Sequence, residues 1–326
     1  MIVYFNIGKD LIYVPIFMII NLILFKIKDN INIKIKSEFM NHICDGCLII
    51  FYIFEKYLVK GNNNEYEFCI KINKTSYKMI ILFICSIILL CIDNYSFIYD
   101  TNISEMEDLI TTILFLILIE FIFFDKIFYQ HQILSIIIII LSHIYLFVKK
   151  YIESSLKIYY ILYILQFYCY SFSLTLIKYI NTQYFISIYL LGSIHGIFLL
   201  IQDLIQKYYL NFSQISLFNI LFIIFYFIIY LTNNFLYYKI IEKLGPIYLF
   251  MSELISYFLF REKKSNIISI IINLLLIISC SVYLEILELN FCNLNQNTKK
   301  NIENRAEEEI INQLSNSLSI NSEIEI

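Results

Sequence analysis

The chain has 326 residues, 60% of them hydrophobic and none of them tryptophan, with a mean hydropathy of +0.72 and a formal net charge of -3. Its apolar residues fall in runs of roughly 17 to 25, the length that crosses a ~30 Å hydrocarbon layer, where a soluble domain would alternate shorter apolar stretches with polar ones. A mildly acidic balance without a basic, aromatic-interleaved patch excludes a nucleic-acid partner, and the short connections leave no room for a separate soluble catalytic domain.

In chain order, the first predicted span covers 11–25 and ends directly in Lys26. It has no basic leader and no small-residue cleavage site, so it reads as an uncleaved helix rather than a signal peptide. Further spans are expected at about 40–58, 78–94, 106–125, 131–149, 157–178, 185–206, 216–238, 245–260 and 265–287. Together they predict an all-α integral membrane fold of about ten transmembrane helices. The second span is the most interrupted, by Asn41, His42, Asp45 and Glu55. Cys44 and Cys47 have C-x-x-C spacing, but no second pair accompanies them, so neither a metal nor any other cofactor is expected. The longest connection holds the turn Gly61-Asn62-Asn63-Asn64, and Gly245-Pro246 reads as a helix stop followed by a fresh start. Beyond Leu289 the composition turns to Asn, Glu, Lys and Ser, which predicts a disordered polar tail over 290–326.

The two halves resemble each other. LILIEFIFFDKIFYQHQILSIIIIILSHIYLF near residue 120 and LFMSELISYFLFREKKSNIISIIINLLLIISCSVYL near residue 255 share one layout. Each is an apolar span with one glutamate, an acid–base pair at its end, a short loop and a second apolar span. Matching Asp125-Lys126 to Glu262-Lys263 sets spans four and five against nine and ten, with Glu120 and Glu253 on one face about a helical turn apart. A five-span unit is odd-numbered, so its second copy enters the bilayer in the opposite sense. The expected organisation is a first repeat over 1–149, an inverted second repeat over 150–289, and the tail. Inverted repeats typify secondary transporters, whose substrate sites lie at the repeat interface. Lysine and arginine divide too evenly to orient the chain. The sequons at Asn94, Asn102 and Asn211 fall together on one side and Asn73 on the other, which favours both termini in the cytosol.

Ionisable and amide groups within apolar spans are costly and therefore candidates for function. Glu120, Glu253, Asp45 and His195 are candidates for proton coupling, gating or ligand contact, each with interhelical packing as the simpler alternative. Lys178, with Ser171 and Thr175 on its face, suits an anionic cargo, or else snorkels to the interface. Asn233, Asn234 and Tyr237 can hydrogen-bond and stack on a ligand, or hold helix to helix. Gly192 and Gly196, four apart, read as a face of close helix approach.

The ten-span pattern, FLFREKKSNIISIIINLLLIISCSVYLEI at its close and NNFLYYKIIEKLGPIYLFMSELISYFLFREK before it resemble the drug/metabolite transporter superfamily, nearest its nucleotide-sugar and triose-phosphate translocator branch. The resemblance covers about 105–290. It implies alternating-access exchange of a small polar or anionic metabolite, such as a nucleotide sugar or sugar phosphate, across a Golgi, ER or other endomembrane. Its implied partners are the lipid bilayer and a small-molecule substrate, with a homodimer left open. On this view Lys178, Asn233, Asn234, Tyr237 and Glu253 meet the substrate, and Glu120 joins Glu253 in gating. Asn233-Asn234 is similar to the end of the Phe-Tyr-Asn-Asn signature of GDP-sugar carriers. Here, however, Leu231-Thr232 precede it and the companion glycine-rich lysine motif is missing, so that substrate does not carry over. A non-transporting adaptor or channel-like subunit with a transporter fold is the main alternative. A multi-span enzyme is less favoured, because His42, His131, His143 and His195 stand in no metal or nucleophile context.

Overall fold

In the computed structural model, the long apolar runs are helices, as they must be if backbone groups are to be satisfied without water. The structure describes residues 3–5, 10–30, 37–58, 74–96, 105–124, 126, 128–153, 159–184, 186–205, 217–260, 267–289, 298 and 301. Its helices are α1 (Tyr13–Asn30), α2 (Ser37–Cys47), α3 (Ile49–Leu58), α4 (Lys74–Ser96), α5 (Glu105–Phe123), α6 (Gln130–Glu153), α7 (Tyr159–Tyr184), α8 (Ile188–Ile205), α9 (Leu217–Lys243), α10 (Pro246–Phe260) and α11 (Ile267–Tyr283). A 3-10 turn, Asp10–Ile12, leads into α1. The all-α expectation needs one addition, an antiparallel ribbon of β1 (Val3–Phe5) and β2 (Leu287–Leu289) with Tyr4 opposite Glu288.

The second predicted span is broken into two pieces. The Leu48 amide bonds back to the Asp45 carbonyl at 3.0 Å, and helix resumes with Tyr52 bonding to Leu48 at 3.1 Å. Gly46, poor at holding a helix, precedes the break. Two other predicted ends move outward. Helix α7 runs to Tyr184, so Lys178 does not close it, and α9 runs to Lys243, so Asn233 and Asn234 lie inside the helix. Helix α6 ends at Glu153, past the expected boundary at 149. Gly245 ends α9 at φ +110°, its amide bonded to the Ile240 carbonyl at 3.0 Å, and Pro246 opens α10. The end of α11 has a similar cap without glycine. Glu285 stands at φ 58°, and Ile286 bonds back to Ser281 at 2.9 Å, turning the chain into β2.

Successive rods alternate in direction, counting α2 and α3 as one. The ribbon ties residues 3–5 to residues 287–289 at one end of the bundle, here called the termini end. Contacts fix the rest. Lys178 of α7 reaches Glu242 of α9, and Ser187 before α8 reaches Glu55 of α3, all at the termini end. His42 of α2 meets Asp203 of α8, and Gln202 of α8 meets Cys91 of α4, both toward the far end.

The rods pack in a paired pattern. α4 lies on α7 and α9 on α1; α5 lies on α7 and α10 on α1; α2 lies on α9 and α4 on α8; α5 lies on α6 and α10 on α11. α2 with α8, α5 with α10, and α6 with α11 also pack on each other. Exchanging each rod with the rod five places on leaves this set unchanged, and every exchanged pair runs in opposite directions. In the second half, α8 and α10 also lie against α9, and α7 touches α8, α9 and α10; the matching first-half pairs are not among the substantial contacts.

The outer surface is apolar. Ile80, Ile84 and Ile88 of α4, Ile133, Ile137 and Ile144 of α6, and Ile271, Leu274 and Ile278 of α11 are all exposed at helical spacing. Many polar groups lie inside, among them Ser171, Ser173, Ser193, Ser252 and Ser256. Among the described residues, Ile188–Ile205 and Ile224–Lys243 are long and apolar enough to cross a membrane, while Asp10–Leu24, Gln130–Leu146, Pro246–Leu259 and Ile270–Tyr283 are apolar but shorter. The expected count of ten therefore rests on the number and alternation of rods, not on apolar length in each. The 61–64 turn, the sequons at Asn73, Asn102 and Asn211, the Glu262-Lys263 pair, Asp125, and the tail apart from Thr298 and Asn301 lie outside the described residues, as does the Asn94 side chain.

Candidate functional site

The middle of the second half is where the packing opens. Helix α10 is wrapped by α1, α5, α9 and α11 and touches α7. From Ile247 to Phe258 its residues are buried except Tyr248, Glu253 and Tyr257. Tyr248 accepts a hydrogen bond from Gln132 at the termini end. Glu253 is half-buried near the middle of this helix and within electrostatic reach of Tyr170 and Tyr237, and the space between α7, α9 and α10 is here called the hollow. Glu253 makes no hydrogen bond or ion pair with any described residue. The neighbouring serines do not serve it: Ser252 bonds to the Leu249 carbonyl at 2.6 Å and Ser256 to the Ser252 carbonyl at 3.0 Å, along their own helix.

Tyr170 of α7 and Tyr237 of α9 are half-buried on the other sides of the hollow, with their hydroxyls 2.8 Å apart. The Tyr170 ring meets Phe250 of α10 edge-on at 5.8 Å. Tyr170 lies within electrostatic reach of Glu253, Asp93 and Asp45, and Tyr237 within reach of Glu253. Acids from both halves thus lie within electrostatic reach of Tyr170. Asn233 lies one turn before Tyr237 on the same face of α9. It is 8% exposed and its Oδ1 has no partner.

A second region, where α2, α8 and α9 cross, is closed. Asn234 donates to Asp45 Oδ1 at 2.9 Å, joining α9 to α2. A Cβ on Gly196 would sit 2.5 Å from Asp45 Cβ and 2.5 Å from the Gly46 nitrogen, and one on Gly192 would sit 2.6 Å from the Tyr238 ring. Gly196 lets α8 approach the α2 backbone, and Gly192 makes room for the Tyr238 ring. His195, between them, pairs with Ser86 of α4 at 2.9 Å and leans on Phe83. Ser173 in turn donates to the Ser86 carbonyl at 2.9 Å. At the far edge of this crossing, His42 Nδ1 is 2.7 Å from Asp203.

The remaining candidates stand at the termini end. The Lys178 amine donates to the Glu242 backbone carbonyl, where it caps α9. Lys126 pairs with Glu120, and Lys239 with Glu242 at 2.8 Å. Glu120 therefore sits in the last turn of α5 with a lysine partner, while Glu253 sits mid-helix without one. The expected likeness of these two acids fails on depth: α10 has Tyr257 where α5 has Glu120.

Of the expected substrate residues, Tyr237, Glu253 and Asn233 come together at the hollow. Asn234 is taken up by Asp45, and Lys178 is a helix cap. Tyr170, Asp93 and Gln166 lie outside the expected set. Asp93, which bonds to Gln166, carries the same signal as Glu253, an acid inside an apolar span. Tyr170 carries none, because one tyrosine among 28 does not stand out. Compared with known protein families and with curated proteins, the chain matches none.

Proposed function

We propose that this chain is a ten-span membrane protein that moves a small polar solute by alternating access between two inverted five-helix halves, as its resemblance to the drug/metabolite transporter superfamily implies. The observation that carries this reading is that the most extensive helix contacts survive exchange of each rod with its antiparallel counterpart five places on. Two halves related in this way can rock about their interface with little change within either, so a central site faces each side in turn. The apolar outer stripes suit contact with lipid, and the hollow at Tyr170, Tyr237 and Glu253 suits a polar cargo. In this reading both termini lie in the cytosol, the membrane is an endomembrane, and the polar contacts at the termini end close the cytosolic side. A lysine occupied as a helix cap gives little support to an anionic cargo.

Counterflow uptake by the purified chain in liposomes tests this reading, with a panel spanning nucleotide sugars, sugar phosphates, amino acids and amines. Saturable uptake that depends on the preload is expected. No uptake of any solute, from protein shown to be folded, would replace the transporter with a non-transporting adaptor.

A further inference from the structure

We propose that His42 and Asp203 form a pH-sensitive latch that holds the far end of α8 against α2 and fastens more tightly as the far side turns acidic. As a gate it rests on the transporter reading, but as a fastening between two helices it stands without it. Geometry comes first. His42 Nδ1 lies 2.7 Å from Asp203 Oδ2, and both side chains are less than a tenth exposed. With the imidazole protonated, both partners of this bond are charged; with it neutral, only the carboxylate is, and the bond is weaker. Histidine is the side chain whose charge ordinarily changes between about pH 5 and 8. Place comes second. His42 belongs to the first half and Asp203 to the second, and α2 and α8 are counterparts five rods apart that pack on each other. The pair therefore spans the interface between the halves. Gly196 brings α8 against the α2 backbone, and Asp203 lies seven residues further on, roughly 10 Å at the helical rise. Over that stretch, His42 bonds Asp203, and Gln202 donates to the Cys91 carbonyl of α4 at 3.0 Å. Ile201, Leu204 and Ile205 there are exposed, so the polar bonds carry much of the attachment. Charge comes third. On α2, the thiols Cys44 and Cys47 lie nearby, and Asp45, one turn from His42, is bonded to Asn234. From α4 comes Asp93, bonded to Gln166, and from α9 come Tyr226 and Tyr230. The described charged groups of α3, α7 and α9 lie at the termini end. Among the described side chains facing the pair, His42 is thus the one that can turn positive, so protonation adds attraction without repulsion.

The test labels the full chain in detergent with N-ethylmaleimide at about pH 6 and about pH 8, the range of histidine, and reads each cysteine by peptide mass spectrometry. Cys91 sits on α4 where Gln202 bonds, so it reports release of the α8 end, and the exposed Cys85 on the same helix is the reference. Dividing Cys91 labelling by Cys85 labelling removes most of the reagent's own pH dependence, and comparing variants at one pH removes the rest. In the parent the ratio should rise by about threefold or more from the acidic to the alkaline condition, as the charge-assisted bond weakens. In His42→Gln it should be high at both, and Asp203→Asn, a second route to the same loss, should behave alike. His143→Gln, on α6 and away from this contact, should keep the parent's response. A parent ratio indifferent to pH would overturn the latch while leaving a transporter. So would a response that persists in folded His42→Gln or Asp203→Asn. The expected labelling in a protein with no counterflow uptake would keep the latch and remove the transporter.

Discussion

The crossing of α2, α8 and α9 and the hollow between α7, α9 and α10 lie side by side along α9, yet they treat their acids in opposite ways. At the crossing, Gly192 and Gly196 bring α8 against Tyr238 and Asp45, and Asp45, Asn234, Ser86 and the Nε2 of His195 find partners on other helices, while the Nδ1 of His195 has none. At the hollow, Glu253 and the Asn233 oxygen have none. A buried polar group that is fully bonded holds helices in register, and one that is not awaits something the chain does not supply. By this measure Asp45 ties helices together and Glu253 does not.

The largest expected effect tests whether the crossing is truly filled. Gly196→Ala puts a methyl 2.5 Å from Asp45 Cβ and from the Gly46 backbone, neither of which is the end of a flexible chain. Forcing α8 from α2 should cost about 3 kcal/mol, read as thermal unfolding in detergent. Gly46→Ala is the internal control. Its new methyl would meet Leu200 at 3.6 Å, an ordinary contact, and the gain in helix propensity should offset or exceed any loss, by up to about 1 kcal/mol. Equal behaviour of the two alanines would mean that the helices part freely, and the contrast would lose its closed side.

How much of this contrast the sequence carried depends on the distance over which each signal acts. The rods come from apolar runs, and the α9–α10 break comes from Gly245-Pro246, both local signals. The glycine pair on α8 announced close packing, though not its partners. The break at Leu48 was only hinted at by the polar residues of α2. Which polar group bonds and which stays free is decided across helices: Asp45 and Asn234 are 189 residues apart, and no spacing rule joins them. Lys178 looked like a ligand for an anion because its partner is a backbone carbonyl, which a sequence does not display. Glu120 and Glu253 looked alike because a one-turn offset preserves the face and hides the change in depth.

Next in size is a comparison of two carboxylates. Asp45→Ala leaves the Asn234 amide without the acceptor it holds at 2.9 Å, and should cost about 2 kcal/mol of stability. Glu253→Gln removes no bond within the chain, so stability should stay within about 0.5 kcal/mol of the parent or rise, because a costly charge is gone. Thermal unfolding of both variants in the same detergent decides the matter. A large loss in Glu253→Gln would show that the acid has a structural partner, and the hollow would then be no more open than the crossing.

The smallest effect concerns Lys178, which tests where the boundary between the two regions falls. Its amine bonds the Glu242 carbonyl near the C-terminus of α9, where a positive charge also meets the negative end of the helix dipole. Lys178→Met keeps the chain length and apolar stem but removes the cap, and should lower stability by about 1 kcal/mol. If the lysine only caps α9, counterflow uptake should be the same in the variant and the parent, since the amine is roughly 12 Å along α7 from Tyr170. A variant with altered uptake would mean that Lys178 reaches the hollow. The cap would then be one of two positions of the side chain, and the lysine would belong to the site after all.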